Sequence, residues 1–302
     1  MINTRLIITP ERFHFARWEI EEYKKHFKEV IEVQKLYRVL KENDVLLCYA
    51  FPAFEEFQNA KCRAKFCMLY PGWRFNPWNR GTAIIKAKTI ARKYNAVFVN
   101  EGPVWERVKD DPKFVLVPYS AAHKFFTKYR KRTEFKKIIQ VARTSAYKGR
   151  DISEAAMKMM PYEWALYPPQ SEEYFHVKTK SGYPIEWCQL PTIYQEADGF
   201  LSPNKIGPPF KYEVDAKYNQ STMEAGLSGC LIFWHDAMGV GNSFESVLEI
   251  SLNPQEISQK IQDIVSSIDL DKHSTLTAQE FYKKCNAESV TKAKVDIMKR
   301  FL

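Results

Sequence analysis

The strongest constraint on the fold is a set of short apolar runs that do not alternate with polar residues. Asp44-Val-Leu-Leu-Cys-Tyr-Ala50 carries no charge after its first residue. It suits a strand buried on both faces, as in a parallel sheet. Similar runs occupy 6–9, 30–33, 64–70, 96–99 and 113–117. Between them the spacing predicts a helix over 19–27, with Ile20, Tyr23 and Phe27 on one face. A second helix is predicted over 83–94, with its Lys and Arg facing outward. Strands and helices alternating at this interval predict a doubly wound parallel sheet.

A second series of the same kind follows. Strands are predicted over 137–142, 163–167, 185–188, 199–201, 230–234 and 248–250. Helices are predicted over 151–160, over 254–268 with Ile257, Ile261, Ile264, Val265 and Ile268 on one face, and within 277–301. The stretch 121–133 breaks the pattern and is basic (Lys124, Lys128, Arg130, Lys131, Arg132), which suits an interdomain connection. The expected fold is therefore α/β, with two Rossmann-like domains facing a cleft. Residues 1–130 form the first and 131–302 the second, with C-terminal helices able to pack back on the first domain.

Composition narrows the function. With 45% hydrophobic residues the chain has ample material for two cores. No apolar run approaches the ~20 residues of a membrane span, and residues 1–10 are too short in apolar core for a signal peptide. The six cysteines form no CxxC pair and lie mostly in apolar runs, as reduced thiols of a cytoplasmic protein do. Charge is unevenly placed. Residues 1–135 hold 26 of the 45 Lys and Arg against 15 of the 36 Asp and Glu, a net of +11, leaving −2 for the remainder. Either this is a solubilising face, or the first half meets a polyanion or an anionic membrane surface.

Three constellations carry chemistry. In Val141-Ala-Arg-Thr-Ser-Ala-Tyr-Lys-Gly149 a buried strand ends, and Arg143 and Lys148 follow in a loop ahead of a helix. Two cations at the carboxyl edge of a sheet suit a diphosphate, Arg engaging oxygens bidentately and Lys acting as a point charge. In Tyr218-Asn-Gln-Ser-Thr-Met-Glu-Ala-Gly-Leu-Ser-Gly-Cys230 a short helix is expected to begin at Ser221 and Thr222, with Glu224 in its first turn. Free N–H groups around Ser221, Thr222 and Met223 would suit an anion, and a carboxylate would suit a sugar diol. In the first half, Arg12-Phe-His-Phe-Ala-Arg-Trp18 and Tyr70-Pro-Gly-Trp-Arg-Phe-Asn-Pro-Trp-Asn-Arg80 interleave arginines with aromatics. Arg12, Trp73, Arg74, Trp78 and Arg80 could stack on bases and neutralise phosphates, or they could be ordinary packing. His14 follows the first strand, where an acid/base or acceptor-contact residue could sit.

The first two constellations together resemble the retaining nucleotide-sugar glycosyltransferases of the GT-B fold. In motif they are most similar to the bacteriophage DNA alpha-glucosyltransferases. The resemblance is carried by Arg143-Thr-Ser-Ala-Tyr-Lys-Gly149 and by Glu224-Ala-Gly-Leu-Ser-Gly-Cys230 leading to Phe233-Trp234. It implies a donor site of Arg143, Thr144, Lys148, Ser221, Thr222, Met223 and Glu224. There Arg143 and Lys148 would neutralise the leaving diphosphate without a metal, and Glu224 would hold the ribose. It further implies transfer from a UDP-sugar co-substrate to a hydroxymethylated pyrimidine of phage DNA, with retention and no other cofactor. Double-stranded DNA would be the partner, and the cytoplasm, the host's if the chain is phage-encoded, the location.

Three positions depart from the resemblance. Ala216, beside Asp215, stands where retaining relatives carry a second Glu. Thr9-Pro-Glu-Arg-Phe-His14 replaces a glycine-rich loop, and Pro71-Gly-Trp-Arg74 replaces a His-Asp segment. Two other functions stay open. One is a glycosyltransferase of cell-surface polysaccharide or lipid-linked glycan, docked peripherally on anionic lipid. The other is a DNA-binding protein with an inactive sugar-nucleotide domain. No GxGxxG follows the first strand and there is no Walker loop, which argues against dehydrogenases and kinases. Asp269-Leu-Asp271 lies between C-terminal helices and is discounted as a metal motif, and His235 reads as a structural or surface histidine.

Overall fold

The computed structural model describes residues 1–302 except 10–16, 34–35, 37–38, 50–54, 70–81, 119, 143–147, 168–188, 206–217 and 238–240. The described residues divide into two units. The first comprises Met1–Ala122 with Lys284–Leu302, and the second takes the chain between them.

The first unit is built on six parallel strands: β1 (Ile2–Thr9), β2 (Phe27–Glu32), β3 (Val45–Cys48), β4 (Ala64–Leu69), β5 (Ala96–Val99) and β6 (Phe114–Leu116). Their order is β2-β1-β3-β4-β5-β6. β3 and β5 are buried at every position, as their unbroken apolar runs predict. The helices are α1 (Arg17–Tyr23), α2 (Glu55–Asn59), α3 (Thr82–Ala91) and α4 (Pro103–Val108).

The predicted helix over 19–27 ends at Tyr23 instead, and Phe27 opens β2. Phe27 keeps helical spacing with Ile20 and Tyr23, yet it is buried in the sheet core, with its ring edge-on to Tyr23. A single apolar residue after a turn satisfies both periodicities, and the sheet wins because Ile2 N–H bonds His26 O across the strands. α3 likewise stops at Ala91, three residues short of the expected end, where a turn delivers the chain to β5.

The second unit holds β7 (Lys137–Val141), β8 (Glu163–Tyr167), β9 (Gly199–Ser202), β10 (Leu231–Trp234) and β11 (Val247–Glu249). They are parallel, in the order β11-β10-β9-β7-β8. Its helices are α5 (His123–Phe126), α6 (Arg150–Met157), α7 (Leu190–Glu196), α8 (Gln220–Leu227), α9 (Pro254–Ser267) and α10 (Leu270–Cys285). α6 and α9 cover one face of the sheet through Ala156, Met157, Ile257 and Ile261. The last helix, α11 (Ala287–Lys299), lies in the first unit, where Val290, Val295 and Met298 join the core that contains Ile20 and Tyr23. The weak strand expected over 185–188 lies outside the described residues.

The basic stretch 121–133 is not simply a solvated connection. Arg132 is 1% exposed. Its guanidinium donates to Ala197 O at 2.9 Å, Ser228 O at 3.0 Å and Ser274 Oγ at 3.0 Å. Arg130 pairs with Asp198, whose other oxygen accepts from the Lys136 and Lys137 N–H groups. These two cations hold the start of β7 to the start of β9, Arg132 from the interior of the second unit and Arg130 from its surface. Asp269 receives the Lys272 N–H at the start of α10, and Asp271 receives the Arg132 N–H.

In the first unit the buried Glu19 of α1 collects three donors. They are Tyr49 Oη, Ser120 Oγ at 2.7 Å and Lys294 Nζ of α11 at 2.5 Å. Burial pushes the Lys294 ammonium below its ordinary value, and Glu19 opposes that shift.

Candidate functional site

In an open parallel sheet the crevice forms beyond the carboxyl ends of the strands, where the strand order reverses. In the second unit that point lies between β7 and β9. β7 is the first strand in sequence, and its successors run outward to either side. Gly149, just ahead of α6, and Pro203, just after β9, meet there. Gly149 sits at φ +62°, and a Cβ built on it would lie 2.0 Å from Pro203 O. Only glycine permits both the left-handed backbone and this approach. Gly149 immediately precedes α6 and lets Lys148 and Arg150 flank the contact. A further tie crosses the same point: Lys205 Nζ meets the Asp151 carboxylate at 2.7 and 2.8 Å. Partial burial pushes that carboxyl up, but the Lys205 hydrogen bond and charge outweigh it and leave it below the ordinary range.

α8 brings the second constellation to the carboxyl end of β9. The helix begins one residue earlier than expected, at Gln220. Asn219 is its N-cap, accepting the Thr222 N–H at 2.9 Å, so Glu224 falls in the second turn. Thr222 Oγ1 also bonds Asn219 Oδ1 at 3.0 Å and lies 3.3 Å from Ser202 Oγ, at the tip of β9. Asn204 Nδ2 approaches the same Ser202 hydroxyl at 3.4 Å. The helix stops at Gly229, φ +73°, where the Gly229 and Cys230 N–H groups return to Gly226 O and Ala225 O. This is the paired bonding of a Schellman cap, and it launches β10.

Of the N–H groups expected to be free, those of Thr222 and Met223 are bonded to Asn219. The first-turn N–H groups without an acceptor among the described residues are those of Gln220 and Ser221. The side chains of Thr222, Met223 and Glu224 are buried, and only Ser221 of the four is partly exposed. Glu224 is 2% exposed and accepts from Tyr194 Oη and Gln220 Nε2, both at 3.1 Å. Burial raises its carboxyl to about 8, against the opposing hydrogen bonds from Gln220 and Tyr194. A carboxyl with that value carries a proton at neutral pH.

The structure thus brings Lys148, the α8 N-terminus and Glu224 into one unit. Lys148 itself is buried, and its carbonyl accepts from Gln140 Nε2 at 2.7 Å. Arg143 and Thr144 lie outside the described residues. So do Arg12, His14, Trp73, Arg74, Trp78, Arg80, Asp215 and Ala216. His235 follows β10 with Nδ1 2.9 Å from Ile250 O, a structural contact.

Sequence reasoning missed Tyr194, Ser202, Asn204, Gln140 and Arg150. Arg150 had a detectable signal, a cation at the first position of a helix, where the dipole disfavours it. Among the described residues no cluster of His, Cys, Asp and Glu could hold a metal, and no helix is long and apolar enough to cross a membrane.

No protein-family model matches the chain, and no curated protein matches it. Solved structures do. The chain aligns with the Anabaena protein HepE, solved in complex with UDP-glucose, at a TM-score of 0.65 and 12% identity, covering 98% of this chain and 99% of that one. It aligns with AviGT4, a glycosyltransferase involved in avilamycin A biosynthesis, at 0.61 and 9% identity, covering 99% and 98%. It aligns with the glycotransferase of kitacinnamycin at 0.55 and 11% identity over the full length of both. Two parallel α/β sheets, matched from end to end in this way, give the chain the fold of the GT-B glycosyltransferases.

Proposed function

We propose that the chain is a glycosyltransferase that takes its sugar from a nucleoside diphosphate donor, with UDP-sugars favoured. One observation carries the reading. At the switch point of the second sheet, the Gly149–Pro203 contact brings the start of α6, with Lys148 and Arg150 on either side of Gly149, to the carboxyl end of β9, where the α8 residue Thr222 also bonds Ser202. In the proposed roles Arg143 and Lys148 neutralise the departing diphosphate. The N–H groups of Gln220 and Ser221 assist, and Thr144 lines the loop. Preorganised donors of this kind stabilise a leaving group's developing charge without a metal. The ribose diol reaches Glu224 by taking over the bond now made by Gln220 Nε2, a partly exposed side chain on the same helix.

The acceptor we propose is a hydroxymethylated pyrimidine of double-stranded DNA, with retention at the anomeric carbon. The support is the motif resemblance and the net +11 carried by residues 1–135. Arg12, Trp73, Arg74, Trp78 and Arg80 are the proposed DNA contacts, and His14 the proposed acid/base. The test is mass spectrometry of products after a panel of nucleotide sugars is offered with hydroxymethylcytosine DNA and with unmodified DNA. A hexose or pentose mass added to the modified DNA alone is expected. Donor consumption without DNA labelling would refute the acceptor and leave the donor site standing.

A further inference from the structure

The least explained group among the described residues is Arg150. It is 3% exposed, and its Nη1 donates to Ala142 O at 2.8 Å, just past the carboxyl end of β7. Its Nε and Nη2 are inaccessible and have no hydrogen-bond partner. Among the described residues no carboxylate lies within ion-pair distance of it. Glu154, one turn along α6, acts only through space, and burial holds the guanidinium below its ordinary value.

Two features make this arrangement unfavourable by itself. A cation at a helix N-terminus opposes the macrodipole. A buried guanidinium without a counter-ion forfeits hydration worth several kcal/mol. An anion held there would offset both, through its own attraction to the guanidinium and to the helix N-terminus. Lys148, also buried, adds a second cation two residues away. Gln140 Nε2 holds Lys148 O while Arg150 Nη1 holds Ala142 O. The two side chains therefore pin both ends of the 142–148 segment and leave one edge of the guanidinium unused.

We propose that Arg150 is an anion ligand whose Nε–Nη2 edge takes phosphate oxygens of a nucleoside diphosphate, as a further cation alongside Lys148. The fork of a guanidinium presents two parallel donors to such oxygens, which an ammonium does not. The proposal rests on the donor-site reading. It adds that affinity for the diphosphate depends on a residue that never reaches the nucleoside.

The test is binding of UDP, uridine and inorganic pyrophosphate to the full chain, the Arg150→Gln variant and the Arg150→Lys variant. Calorimetry measures UDP, ligand-observed NMR measures uridine, and thermal shift measures pyrophosphate. Arg150→Gln is expected to lose at least tenfold in UDP affinity and the pyrophosphate shift, while uridine binds as before. Arg150→Lys keeps the charge and loses the fork, so a smaller loss confined to the phosphate ligands is expected if Arg150→Gln does not fold. UDP binding within twofold of the parent in either folded variant would overturn the proposal. So would equal losses for UDP and uridine, the signature of a merely structural arginine. If the parent chain answers neither UDP nor pyrophosphate, this proposal and the donor reading both fall. If pyrophosphate binds through Arg150 but no nucleotide sugar is consumed, only the donor reading falls.

Discussion

Replacing Gly149 by Ala tests the close approach that builds the site. Two penalties are expected. The first is conformational. At φ +62° an L side chain costs roughly 1–2 kcal/mol, offset by about 0.4–1 kcal/mol from a less free unfolded chain. The second is steric. A Cβ 2.0 Å from Pro203 O must move a backbone carbonyl, because no flexible side chain is available to give way. Overpacking of this kind costs about 1–3 kcal/mol. The sum is about 1–5 kcal/mol.

Gly241 supplies the control. It has φ +74°, and among the described residues nothing lies within 4 Å of its Cβ position. Gly241→Ala should therefore cost about 1 kcal/mol or less. In a unit of this size 1 kcal/mol moves the midpoint by about 2–4 °C. Scanning calorimetry should therefore show a drop of several degrees for Gly149→Ala and little for Gly241→Ala. Because the clash separates the loops after β7 and β9, UDP affinity should fall in the first variant only. Equal midpoints for the two variants would refute the claim that this contact is tight. An unchanged UDP affinity in Gly149→Ala would refute the claim that it shapes the site.

Other consequences follow from the buried charges. Arg132→Met removes donors from two buried carbonyls and the Ser274 hydroxyl and leaves Asp198 with one cation fewer. A loss of about 3–5 kcal/mol is expected in urea unfolding. Lys294→Met strands Glu19 in the first unit and should cost a similar amount. The double variant Glu19→Gln/Lys294→Met should recover part of it, and simple additivity would argue against the pair. Glu224, raised from 4.5 to about 8, binds a proton in the folded chain that the unfolded chain has released between those values. Its contribution to stability is thus complete below about pH 4.5 and is lost as pH rises through about 8. Glu224→Gln should flatten that decline, and an unchanged pH–stability curve would show that the carboxyl is not buried as described.

Much of this architecture could be read from the chain itself. β3 and β5 are continuous apolar runs because both faces are covered, and that pattern needs no tertiary knowledge. Phe27 could not be assigned in the same way, since one apolar residue fits the helical period before it and the strand after it. The strand order that creates the switch point depends on which strands pair, and no local pattern encodes that. At the site, the Lys148-Gly149 pair and the Glu224 segment stood out by residue type. The partners that define Glu224 did not. Tyr194 lies 30 residues away and meets it only through packing of α7 near α8. The burial of Arg132 and Arg150 was hidden for a similar reason, because a cation in a polar stretch resembles a solvated one until its acceptors are placed around it.

The central claim is that the second unit handles a nucleoside diphosphate sugar, and donor turnover measures this most directly. A panel of nucleotide sugars should be incubated with the parent chain and with Arg143→Ala and Lys148→Ala variants of matched thermal midpoint, and release of the nucleoside diphosphate followed. Release from one donor class, UDP-sugars foremost, is expected, and its loss in both variants. Release from no donor in the panel, or release undiminished in the folded variants, would contradict the central claim.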